Sequence, residues 1–111
     1  MEKEKKIIEI SKQILKDFGR EYFPDTIKIR LTKELKEWYG ADYPFDFDVS
    51  RVLIGVPDEQ SGSTGVFSIY FKDDTLEPIK FNDGGAEGRV PDLTILKKDG
   101  KYVIGNEWKG F

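Results

Sequence analysis

Along residues 2–18, Ile7, Ile8, Ile14, Leu15 and Phe18 recur at helical intervals with Lys and Glu between them. Gly19 follows, where a left-handed residue stops a helix. The spacing predicts an amphipathic helix that lays one apolar stripe against the remaining fold. Residues 26–39 carry two periods at once. Ile27, Ile29 and Leu31 alternate as in a strand, whereas Ile27, Leu31, Leu35 and Trp38 also line one helical face, with Asp25 as a cap and Gly40 as a stop. A helix over 26–39 is the expectation, with a strand followed by a short helix as the alternative.

Past Gly40 the texture changes. Residues 49–56, 66–71 and 92–96 are short β-favouring runs separated by Gly, Pro, Asp and Ser. Asp99-Gly100, between Leu93–Lys98 and Lys101–Trp108, is the signature of a type I′ hairpin. Pro57–Gly65 and Asn82–Gly88, rich in turn residues, are expected as loops. The layout is an α+β fold, with N-terminal helices packed on one antiparallel β-sheet that ends in a hairpin. Its 111 residues hold one domain, 1–111. Trp38 and Trp108 are expected in the core.

Composition narrows the chemistry. With neither Cys nor His in the chain, disulfides, thiolate or imidazole metal sites and His-based nucleophilic catalysis are excluded. The segment Met1–Lys6 is charged, and the apolar run after it is interrupted by Glu9, Ser11 and Lys12. Neither a signal-peptide core nor the ~20 apolar residues of a membrane span is visible. A cytoplasmic location without membrane association is expected.

Charge is divided along the chain. Residues 1–36 hold 10 Lys/Arg and 7 Asp/Glu, a net of +3, while 37–111 hold 8 and 14, a net of −6. Acidity in the second part argues against nucleic acid as a partner; it fits a solvated sheet edge with acidic loops, or an acidic face that meets a basic partner. Asp42-Tyr43-Pro44-Phe45-Asp46-Phe47-Asp48 alternates aromatics with acids, so an extended chain would place Tyr43, Phe45 and Phe47 on one face and the acids on the other. The strip fits core closure, or aromatic anchors surrounded by selective charge. Asp73 and Asp74 would extend the acidic surface.

Two resemblances follow. In size, charge and order of elements, the chain resembles small bacterial immunity proteins, cytoplasmic antitoxin-type inhibitors of secreted toxins. That resemblance implies a non-enzymatic domain without a cofactor that blocks a basic partner such as a nuclease toxin domain. Asp42, Asp46, Asp48, Asp73 and Asp74 would supply charge, and Tyr43 and Phe45 anchors. Separately, Pro91-Asp92 followed by Glu107-Trp108-Lys109 resembles the core of the PD-(D/E)xK nucleases. It implies Mg²⁺ or Mn²⁺ held by Asp92 and Glu107, with Lys109 as the catalytic lysine. The plain alternative for that string is an edge hairpin with a solvated Glu–Lys pair. A homo-oligomerisation domain is a further alternative, and the oligomeric state is not legible.

Overall fold

The computed structural model describes residues 2–43, 47–57, 64–85 and 92–108. Helix α1 (Glu2–Phe18) forms as its periodicity predicts, with Glu2 and Glu4 in the first turn and Lys16 in the last, complementing the helix dipole. Gly19 ends it at φ +68°. The Gly19 N–H donates to the Lys16 carbonyl and the Arg20 N–H to that of Leu15, which is a Schellman closure. Ile7, Ile14 and Leu15 are fully buried, and Ser11 on the same face returns its hydroxyl to the Ile7 carbonyl at 2.8 Å.

The expected helix over 26–39 does not form. Pro24–Thr26 makes a 3-10 turn, Lys28–Arg30 makes strand β1, and only Thr32–Tyr39 is helical (α2). The strand period prevails because Ile29 pairs with Val52 and packs against the main core. Asp25 therefore lies in the 3-10 turn. Instead, the Thr32 hydroxyl tethers the start of α2 by donating to the Val49 carbonyl at 2.8 Å. Gly40 ends the helix, as its position suggests, at φ +58°.

Strands β2 (Val49–Pro57), β3 (Thr64–Lys72), β4 (Glu77–Gly85), β5 (Leu93–Lys98) and β6 (Lys101–Glu107) complete a sheet in which β1 to β6 pair in chain order, each antiparallel to the one before. The fold is α+β, with β1 inserted between the two helices. Strand β4 corrects the expected loop at Asn82–Gly88, because Asn82–Gly85 continues the strand. Its pairing with β3 shifts register between Val66 and Phe67 and between Tyr70 and Phe71, irregularities that fit a strand carrying Pro78 and two glycines. At the hairpin turn Asp99 and Gly100 both have positive φ, 52° and 81°, as type I′ demands.

Alternation divides the sheet into two faces. One carries Val52, Ile54, Val56, Phe67, Ile69, Phe71, Phe81 and Ile95, which close with α1 into the main core. Phe81 stacks on Phe67, with ring centroids 5.3 Å apart, and meets Phe18 of α1 at 5.0 Å. Each fully buried large apolar side chain contributes about 1.5–3 kcal/mol. The opposite face carries a smaller cluster of Leu35 from α2 with Val49 and Tyr70, flanked by Tyr39, Tyr43, Phe47 and Ile79. No described helix is long and apolar enough to cross a membrane.

Candidate functional site

Helix α2 is only eight residues long, so it shields part of the second sheet face and leaves a groove beside β1 and β2. The groove encloses about 580 Å³ and is lined by Arg30, Glu34, Leu35, Glu37, Trp38, Tyr39, Arg51 and Leu53. Leu35 turns inward and is buried, whereas Trp38 is 86% exposed, which corrects its expected place in the core. The groove thus has an apolar floor, an exposed indole at its wall and carboxylates on its rim. Arg30 meets Glu34 at 3.3 Å in an exposed i,i+4 pair. Glu37 makes no ion pair among the described residues.

Next to the groove the sheet face is polar and enclosed. The Arg51 guanidinium lies 5.3 Å from the Tyr70 ring centre and donates to the Ser68 hydroxyl at 3.0 Å. Its Nε is the one buried side-chain nitrogen or oxygen without a hydrogen-bond partner among the described residues. Lys80 lies 4.5 Å from the same Tyr70 ring and 5.8 Å from that of Trp108, with its ammonium 2.7 Å from the Asp92 carboxylate. Asn82 donates to the other Asp92 oxygen at 3.0 Å. Burial pushes the Tyr70 hydroxyl up to about 12, although the Arg51 charge opposes the rise. These groups are committed to one another, so their geometry is that of a structural network.

Of the acidic and aromatic residues singled out between 42 and 74, Tyr43, Asp48 and Asp73 are engaged within the fold. Asp48 is bound by Lys36 at 2.8 Å. Asp73 is bound by Lys3 at 2.7 Å and accepts from the Ser50 hydroxyl at 2.7 Å. Burial raises the Asp73 carboxyl, but Lys3 and Ser50 outweigh it and hold the group below its ordinary range. The backbone joins the two acids, since the Asp73 N–H donates to the Asp48 carbonyl. Tyr43 is half-buried, donating its hydroxyl to the Phe47 carbonyl and accepting from the Val49 N–H. That bracing role occupies the polar end of the proposed anchor. Asp42 and Asp74 are exposed and make no ion pair among the described residues, while Phe45 and Asp46 lie outside those residues.

The structure separates the residues of the nuclease-like string. Glu107 pairs with Leu93, and Phe81 also pairs with Leu93, which puts all three positions on the α1 face. Asp92 precedes Leu93 and reaches Lys80 and Asn82 on the other face, while its carbonyl accepts from the Trp108 N–H at 2.8 Å. Lys109 lies outside the described residues. Among those residues no group of three acidic side chains is arranged to hold a metal ion.

Sequence reasoning missed the groove. Its one advance signal was Trp38 between Glu34 and Glu37 on one side and Tyr39-Gly40 on the other, a tryptophan in the last turn of a charged helix. Comparison with known proteins adds no name, since no family model, no curated protein and no solved structure matches the chain.

Proposed function

We propose that this protein is a non-enzymatic protein-binding domain of the immunity or antitoxin type, which docks a basic partner through the α2 side of its sheet. The observation that carries the reading is Trp38, whose indole stands 86% exposed over an apolar-floored groove. Leaving so large an aromatic surface in water is unfavourable for a chain by itself, and tryptophan is the residue most enriched where partners bind tightly. Glu34 and Glu37 line the groove together with Arg30 and Arg51, and Asp42 lies just beyond the helix, so carboxylates that a basic partner could meet stand near the indole. The net −6 of residues 37–111 supports electrostatic steering towards a basic surface. In this reading the partner surface is centred on Trp38, with Asp48 paired to Lys36 and Asp73 to Lys3.

Co-purification from the native organism, with wild-type and Trp38→Ala chains compared side by side, tests the reading. A stoichiometric basic partner that is lost with Trp38→Ala, and whose toxicity on expression alone is neutralised by the wild-type chain, is the expected outcome. A partner retained equally by both chains, or no partner at all, would refute it.

A further inference from the structure

The sheet is open, so its two edge strands carry backbone groups that could pair with another chain. At the β1 edge few are free to do so. Strand β1 has three residues, and where β2 runs past it the segment before β1 covers the edge. The Phe23 N–H donates to the Gly55 carbonyl, the Thr26 hydroxyl accepts from the Gly55 N–H, and Arg20 donates to the Pro57 carbonyl. The β6 edge is longer, at seven residues. Leu93 faces Glu107 but Ile95 faces Ile104, so β6 carries an extra residue and bends between them. Between that bulge and the Asp99-Gly100 turn, the Tyr102 N–H points away from β5, since it donates to Asp17 of α1 at 3.0 Å. Strand alternation turns the Ile104 backbone to the same open side. Its side chain is 54% exposed, and among the described residues nothing outside the sheet bonds to its backbone. Asp17 is itself held in place. The Gln13 amide donates to one carboxylate oxygen at 2.8 Å, and the Tyr102 N–H to the other. That backbone bond keeps the carboxyl below its ordinary range.

We propose that Asp17 is a latch that closes the β6 edge to strand addition, and that the strand it excludes is β6 of a second copy of this chain. The sequence of β6 is self-complementary when two copies run antiparallel about Val103. Tyr102 of each copy then stands opposite Ile104 of the other, and these are the two residues whose backbone groups face outward. The pairing repeats by two-fold symmetry and sets an aromatic ring beside a β-branched side chain twice. Lys101 falls opposite Gly105, so no like charges meet. The Asp17 carboxylate prevents this by occupying the Tyr102 N–H and by placing a charge where the second backbone would lie. The β6 edge is at the far end of the strand order from the α2 groove, so the latch is independent of partner binding there.

Sedimentation velocity over a concentration series tests this, with wild type, Asp17→Ala, Asp17→Asn, and Asp17→Ala combined with Ile104→Pro. Wild type should be monomeric. Asp17→Ala should dimerise about ten-fold more tightly or better, the scale of one competing hydrogen bond to a charged group. Asp17→Asn keeps an acceptor for the Tyr102 N–H and should stay monomeric. Ile104→Pro removes the other outward N–H at a position where an edge strand tolerates proline, so the double variant should return to monomer. It lacks the same α1 contact as Asp17→Ala, which separates edge pairing from association caused by a loosened fold. Amide exchange on wild type gives a readout that needs no variant to fold: Tyr102 should be protected and Ile104 should exchange faster. A dimeric wild type, a monomeric Asp17→Ala, equal association of the Ala and Asn variants, association that survives Ile104→Pro, or an Ile104 amide as protected as that of Tyr102 would each overturn the proposal.

Discussion

Lys80 and Asp92 form the most enclosed ion pair among the described residues. The ammonium lies 2.7 Å from the carboxylate, and the two side chains are 10% and 30% exposed. Lys80 lies on β4 and Asp92 just before β5, and they meet on the sheet face away from α1, with the Tyr70 and Trp108 rings near the ammonium. Removing one partner from such a pair leaves a charge that water cannot fully reach.

Asp92→Ala is expected to cost about 2 kcal/mol, below the range for fully buried pairs because Asp92 is partly solvated. Urea unfolding measures it. Lys80→Met combined with Asp92→Leu should recover most of the loss, and added Mg²⁺ should not alter the wild-type midpoint. A Mg²⁺-dependent midpoint abolished by Asp92→Ala would instead favour the metal-binding role implied by the nuclease resemblance.

Tyr70 makes a prediction in alkali. Its folded pKa is raised to about 12 by burial, against about 10 in an unfolded chain. Because the folded state holds this proton more tightly, its contribution to stability is complete below about pH 10 and is lost as pH rises towards 12. Ultraviolet titration of the five tyrosines should show late ionisation to which Tyr70 contributes, beside Tyr43, whose hydroxyl burial also raises. Tyr70→Phe should reduce that late step.

At the acid end the sign reverses. Asp73 is held below its ordinary value despite its burial, through Lys3 and Ser50. Its stabilising contribution is present above the unfolded pKa of about 4 and is lost as pH falls through the lower folded value. Lys3→Ala should make stability depend less steeply on pH below about 4, as urea midpoints across that range would record.

Gly55 has a steric requirement. A Cβ built there would stand 2.7 Å from the Thr26 hydroxyl oxygen, the atom that accepts from the Gly55 N–H at 2.7 Å. Gly55→Ala is expected to cost about 1–3 kcal/mol by overpacking. Since the clash is with Thr26 itself, Gly55→Ala with Thr26→Ala should lose less than the sum of the two single changes. Chemical denaturation of the four chains closes the cycle.

Trp38→Ala should leave the unfolding free energy within about 0.5 kcal/mol of wild type, because a side chain 86% exposed contributes little to the fold. A calorimetric scan beside the partner-capture experiment separates a docking residue from a structural one. A large drop in Tm would show that the indole supports the fold.

How legible the chain was depended on whether one period or one turn signal stood alone. Helix α1 and the Asp99-Gly100 hairpin were readable because each combined an unambiguous pattern with a residue able to take positive φ. Residues 26–39 were not, because Ile27 and Leu31 satisfy both periods and the decision lay with Val52, a partner far along the chain. Strand β4 was hidden by Pro78, Asn82 and two glycines, which read as a turn unless β3 is available to pair with them. The Lys80–Asp92 contact depends on which sheet face each residue reaches, and the exposure of Trp38 on how α2 sits against the sheet; both are tertiary properties.

Asp17 near the end of α1 accepts the Tyr102 N–H of β6 at 3.0 Å, a contact spanning 85 positions of chain. All strand pairings, by contrast, join neighbours in sequence. During synthesis the meander can therefore zip up hairpin by hairpin as it emerges, while α1 must wait for β6. Until residue 102 has left the ribosome, the Asp17 contact cannot form and the α1 stripe lacks part of its seat. Folding of this domain is expected to be completed when α1 docks against β6.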